Sequence, residues 1–223
     1  MRSTVMGTTT TPRPRAKGWI HFYSAPVAAV VGITLTTVAA TTLGTRAALA
    51  CAVYTVTIIG LFTVSATYHR RIWATERARV RMKRLDHAMI FLFIAGTYTP
   101  LTVLALPPGS AGWVLPVVWA GALGGATLKL SWSRFPRWLG VPIYLALGWV
   151  AVFLVPELHS AAGDAPVLLV CAGGLLYTVG TAIFATRRPD PWPAVFGFHE
   201  MFHACVSLAA ACHCVAIWLV LFD

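Results

Sequence analysis

The sequence predicts an all-α membrane protein: a bundle of seven transmembrane helices, with the N-terminus cytoplasmic and the C-terminus extracytoplasmic. Three observations carry that reading. Of the 223 residues, 58% are hydrophobic and 11% charged, with a mean hydropathy of +0.74; globular domains run about 45–50% apolar and about 25% charged. A soluble chain with so few charges would leave much apolar surface in water, and disorder needs the opposite composition. The charges also fall between long uncharged runs of membrane-crossing length. Finally, all but one of the 17 Lys and Arg fall on one side of the resulting bundle, which the positive-inside rule assigns to the cytoplasm.

The elements follow from the runs. About 20 residues of helix cross about 30 Å of hydrocarbon. Helix 1, about 20–43, occupies the 28 uncharged residues between Lys17 and Arg46, and helix 2, about 48–69, the 23 between Arg46 and Arg70. The 42 residues between Asp86 and Lys129 are too many for one crossing. They break at Leu106-Pro107-Pro108-Gly109-Ser110 into helix 3, about 87–106, and helix 4, about 112–130. Helix 5, about 138–156, fills the 19 residues between Arg137 and Glu157. Helix 6, about 165–186, fills the 22 between Asp164 and Arg187, and helix 7, about 199–222, the 22 between Glu200 and Asp223. These runs are continuously apolar, without the alternation of a β-barrel, and open sheet is excluded inside lipid.

Residues 1–17 read as a flexible basic cytoplasmic tail, and 18–223 as one transmembrane domain. The tail is rich in Thr, Pro and Arg and lacks the short apolar region and cleavage site of a signal peptide, so helix 1 is expected to be a retained insertion signal. The net charge of +10 does not imply nucleic acid, because no soluble domain exists to bind it. Cys51, Cys171, Cys205, Cys212 and Cys214 form no CxxC pair and read as buried free thiols.

Ionisable residues inside membrane helices are costly and therefore mark function. Ser65 and His69 end helix 2, Asp86 opens helix 3, and His199 and His203 begin helix 7, so three segments bring polar side chains to one cytoplasmic depth. Residues four apart share a helix face. The His199/His203 pair can therefore hold one ion, as on metal-binding helices generally. His69 would complete three ligands and leave a fourth position for water, the catalytic form of a zinc site. Each residue also has a plainer reading: His69 as an interfacial hydrogen bonder, Asp86 as the N-cap of helix 3, Ser65 as a packing hydroxyl. His21 and His87 are given no role. His159 falls in an external loop. His213 lies about 15 Å deeper than His203 and is expected to hydrogen-bond within the bundle. His199-Glu200-x-x-His203 also matches the zinc-protease string with Glu200 as base, but residue 209, where a third metzincin ligand would fall, is Ala.

The ordered set Ser65-x-x-x-His69, Asp86, Gly96-Thr97-Tyr98-Thr99-Pro100 and His199-x-x-x-His203 resembles the bacterial hemolysin III family. So do the basic stretch from Arg70 to Arg84 and Phe196-Gly197-Phe198-His199-Glu200. That family is related to the progestin and adiponectin receptors and to the alkaline ceramidases, and the resemblance covers the chain from about residue 18 onward. It implies seven helices, with zinc on His69, His199 and His203 and with Asp86 and Ser65 beside the metal-bound water. Glu200 departs from the Gln common in adiponectin receptors and adds a second potential base. Tyr98 is expected to pack or to line a substrate channel.

The expected function is a zinc-dependent hydrolase of a lipid amide or ester, ceramidase-like, in the cell membrane and linked to membrane-lipid homeostasis. Its expected partners are membrane lipids, including a lipid amide or free fatty acid, with no nucleic acid and no known protein partner. Two other classes stand beside it. One is a membrane regulator or receptor with a structural zinc. The other is a cytolysin, which should show a polar stripe running from face to face rather than a polar cluster at one end.

Overall fold

The structure, a computed structural model, describes residues 14–132 and 136–222. It is all-helical. α1 spans Trp19–Thr42, α2 Thr45–Arg70, α3 Glu76–Ala105 and α4 Pro108–Ser131. α5 (Arg137–Trp149) passes through a 3-10 turn (Val150–Leu154) into α6 (Val155–Ala162), and α7 (Asp164–Thr186) and α8 (Phe198–Phe222) complete the chain. Seven spans are long and apolar enough to cross a membrane, α5 through α6 counting as one. Among the described residues the single β-bridge, Trp192 with Phe196, belongs to no strand.

Consecutive helices pack on one another, and α8 closes the bundle against α1, α3 and α7. α3 is the most buried span. The outer helices turn Val30, Ile33, Phe153 and Leu168 outward, a surface suited to lipid and not to water.

α3 begins at Glu76 and not near residue 87. Its N-cap is Thr75, whose hydroxyl accepts from the Ala78 amide at 3.2 Å. Glu76 sits in the first turn, where a carboxylate suits the helix dipole, and receives two bonds from Arg79 at 2.6 and 2.7 Å. A charge marks the edge of hydrocarbon but does not stop a helix, and Arg, Lys and Met are good helix formers. Asp86 is therefore interior to α3, and its expected N-cap role is overturned.

The Gly96–Pro100 segment makes α3 a hub. A Cβ on Gly96 would collide with Thr57 Oγ1 of α2, so glycine permits that close approach. Trp119 of α4 donates its indole N–H to Thr99 Oγ1 at 3.1 Å. Tyr98 donates its hydroxyl to the α5 carbonyls of Gly148 (2.7 Å) and Leu147 (3.1 Å), just before α5 becomes a 3-10 turn. Pro156 lacks an N–H, so the α-helical ladder of α5 cannot run unbroken into α6. The carbonyl that Pro156 leaves without its helical donor is that of Val152; the Leu147 and Gly148 carbonyls lie where α-helix gives way to the 3-10 turn, and Tyr98 gives them a side-chain donor there. Tyr98→Phe is expected to lower unfolding stability in detergent by about 1 kcal/mol, within the ~0.6–1.7 kcal/mol of interhelical hydrogen bonds in lipid. Thermal unfolding of wild type and variant checks this.

Of the basic tail, residues 1–13 lie outside the described residues. The amides of Arg15 and Ala16 donate to the carbonyls of Ala194 and Val195 at 3.1 and 3.0 Å, tying the entry to α1 onto the loop before α8.

Candidate metal centre

The centre lies at the end of the bundle where α2 finishes and α1, α3 and α8 start. His69 comes from the last turn of α2, and His199 and His203 from the first turns of α8. One ligand nitrogen of each lies within 4.8 Å of the others. The Nε2 atoms of His69 and His199 are 3.1 Å apart. Two ligands bound at ~2.0–2.1 Å to a tetrahedral ion stand about 3.3 Å apart, so this pair fits one metal ion with little adjustment. The three rings are mutual neighbours, with centroids 4.6 to 5.0 Å apart. His69 and His203 are buried and His199 is half-buried. The donor set is all imidazole, which suits zinc, copper, iron or nickel and not the oxygen-seeking magnesium or calcium.

Asp86 and Ser65 stand beside this group. Asp86 Oδ2 is 3.9 Å from His69 Nε2, and the buried Ser65 lines the same end of the cavity. Ser65 lies one turn deeper than His69 on the same face of α2. His87 Nδ1 approaches Asp86 Oδ2 at 3.7 Å and lies 2.6 Å from the Lys83 carbonyl. The two carboxylates raised by the sequence are thereby separated. Glu200 Oε2 accepts from the Gly197 amide at 2.9 Å, the reach-back of an N3 glutamate to its N-cap. Asp190 Oδ1 accepts from the Phe198 amide at 2.9 Å. Both bonds fix the first turn of α8 and so the position of His199.

Two supporting residues were missed in the sequence. Gly18, before α1, has φ +78°, and a Cβ there would come to 2.7 Å from His69 Cβ. Only glycine meets both demands. His21, given no role in the sequence, is 3% exposed and stacks flat on His203, with centroids 3.9 Å apart and planes 7° apart. Neither of its ring nitrogens has a hydrogen-bond partner among the described residues. Its signal was present in its depth, one turn into α1 at the same end of the bundle as His69.

The remaining histidines fall elsewhere. His159 lies in α6 and pairs with Asp164 at 2.8 Å, and His213 Nε2 lies 3.2 Å from the Val170 carbonyl, inside the bundle as expected. The five cysteines are free; Cys51 is buried, but Cys171 is exposed. An apolar run does not distinguish a lipid-facing position from a core one.

A cavity of about 270 Å³ starts at Asp86, Ser65 and the α8 histidines and runs past Tyr98 to Tyr177 and His213. Trp149, Val152 and Leu175 line it and are also exposed, so it reaches the apolar outer surface between α5 and α7.

A seven-span helical bundle with a buried three-histidine group able to hold a metal ion defines an integral membrane protein with an internal metal-capable centre. The chain belongs to the haemolysin-III related family, which it matches over residues 9–214. It is 33% identical over 139 residues to the hemolysin-3 homolog of Bacillus subtilis strain 168, covering 61% of this chain and 62% of that protein. It is 34% identical over 105 residues to hemolysin-3 of Bacillus cereus, covering 47% and 48%. Both matches span less than two thirds of those bacterial relatives. The rice heptahelical transmembrane protein ADIPOR2 is 32% identical over 185 residues, covering 74% of this chain and 80% of that protein.

Proposed function

We propose that this protein is a zinc-dependent hydrolase of a lipid amide or ester, ceramidase-like, embedded in the cell membrane with its N-terminus and its metal centre on the cytoplasmic side. The observation that carries this reading is the position of Asp86. A carboxylate 3.9 Å from a ligand nitrogen of the metal-capable group stands where a general base is needed, at the head of an apolar cavity. The orientation rests on the Arg and Lys bias of the loops.

His69, His199 and His203 would hold the ion. Zinc supplies a Lewis acid and brings the pKa of a bound water towards about 7. Asp86 takes a proton from the attacking water. Ser65 orients the Asp86 carboxylate by hydrogen bonding. Water adds to the acyl carbon, the C–N or C–O bond breaks, and Asp86 returns its proton to the leaving nitrogen or oxygen. The products are a free fatty acid and an amine or alcohol. The cavity takes the acyl chain, and the opening between α5 and α7 admits lipid sideways from the bilayer. Such turnover fits a role in membrane-lipid homeostasis.

The test is fatty-acid release from N-acyl and O-acyl lipids by the purified protein in nanodiscs, read by mass spectrometry. Time-dependent release that stops with chelator and returns with zinc is expected. No release from any amide or ester lipid by metal-loaded protein would sink the hydrolase reading. The ion would then brace α2 against α8 in a membrane regulator.

A further inference from the structure

We propose that the cavity contains a second binding station, formed by His213 and Tyr177, for a hydroxyl group carried midway along a lipid acyl chain. This deepens the proposed function and rests on its lipid-binding half, not on hydrolysis.

His213 lies on α8 ten residues beyond His203, about 15 Å along the axis. That is roughly half of a ~30 Å hydrocarbon core, where a polar group has no bulk water to satisfy it. Its seat is shaped for it: a Cβ on Gly173 of α7 would collide with the imidazole. The ring therefore lies against bare backbone, with Nε2 3.2 Å from the Val170 carbonyl. A carbonyl only accepts, so Nε2 carries the hydrogen. With the hydrogen on Nε2, Nδ1 of the neutral imidazole is a bare acceptor. It is buried and has no hydrogen-bond partner among the described residues.

Tyr177 of α7 lies beside it, with ring centroids 5.6 Å apart. Its hydroxyl is likewise buried without a hydrogen-bond partner among the described residues. Both residues line the cavity that begins at His199 and His203. Thr178, also in that wall, is different: its hydroxyl donates to the Gly174 carbonyl at 2.8 Å.

Leaving a buried polar atom unpaired costs more than a typical hydrogen bond gains. Two such atoms, on the packed helices α7 and α8 and in residues that line one cavity, call for a ligand group that both gives and takes a hydrogen bond. A hydroxyl donates to His213 Nδ1 and accepts from Tyr177. A ketone accepts only and leaves Nδ1 unmet. A methylene satisfies neither.

The experiment is competition against a fluorescent fatty acid on the full-length protein in nanodiscs. The competitors are stearate and its isomers hydroxylated beside the carboxylate, at mid-chain and at the chain end, with a mid-chain ketone. The mid-chain alcohol is expected to bind about five- to tenfold tighter than stearate, and the other two alcohols within about twofold of stearate. Tyr177→Phe and His213→Phe should each remove that preference, bringing the mid-chain alcohol and stearate to within about twofold of one another. Tyr177→Phe deletes one oxygen only, so it keeps the test sound if His213→Phe disturbs packing. Equal affinities in the wild type would overturn the proposal, as they are what enclosed water on these atoms would give. A preference surviving Tyr177→Phe would overturn it too. The same preference is expected in Asp86→Asn and after chelation. Its loss there would overturn the inference, while failure of hydrolysis alone would leave it standing.

Discussion

Wild-type protein purified without chelator and without a polyhistidine tag will carry about one zinc per chain, and His199→Ala/His203→Ala will carry none. The His69 and His199 Nε2 atoms are already 3.1 Å apart, and all three ligand nitrogens fall within 4.8 Å of one another. Removing both α8 imidazoles leaves one, and a single neutral imidazole does not retain an ion through purification. A metal site built by folding also adds its binding free energy to folding, so chelation should lower the thermal midpoint of the wild type and leave that of the double variant unchanged. Metal content by mass spectrometry, read beside thermal unfolding, checks both statements. A wild type that purifies without metal would mean that His69 and His199 simply hydrogen-bond to one another. The hydrolase proposal would fall with it.

The spans were legible because the bilayer reads the same physical signal the sequence carries. Charges are expelled from hydrocarbon, so uncharged runs mark where each helix crosses. Helix ends were not legible from that signal alone. The charged stretch before Asp86 is helical because Thr75 caps it and its residues favour helix. A boundary drawn by charge alone starts helix 3 near residue 87 and leaves this stretch outside it. That one misplacement also produced the wrong N-cap role for Asp86. The 3-10 turn at Val150–Leu154 was hidden for another reason. Pro156 announces a break, but the placement of the turn depends on Tyr98 meeting two carbonyls from a helix 49 and 50 positions away in sequence.

The three histidines and Asp86 were legible because topology turns sequence position into depth. Once the chain is folded back and forth across a slab, residues at alternate helix ends share a plane. Depth alone does not give direction around the helix axis. His21 and Glu200 are both at the right depth, yet one stacks on a ligand ring and the other turns to its own N-terminus. Which way each faces is decided by helix packing, by Gly18 against His69 in the first case and by the Gly197 amide in the second.

Asp86→Asn should separate the base from the metal. The variant keeps the shape of the side chain, its place in α3 and most of its hydrogen-bonding capacity, but it cannot take a proton. Metal content is expected to equal that of the wild type, because the three ligand nitrogens come from α2 and α8 and none from α3. Lipid turnover is expected to fall by about 10²–10⁴-fold, the usual contribution of a positioned general base. Ser65→Ala should fall by a smaller factor, about 10- to 100-fold, since it removes one hydrogen bond to a charged group and leaves the carboxylate in place. The order of the two effects carries the assignment. A larger loss in Ser65→Ala than in Asp86→Asn would give the hydroxyl the direct role. Loss of the ion in Asp86→Asn would make the carboxylate part of the metal's own support. Glu200→Gln provides the contrast: its carbonyl oxygen can still accept from the Gly197 amide, so turnover should stay near the wild-type rate. A collapse there comparable to that of Asp86→Asn would move the base to α8.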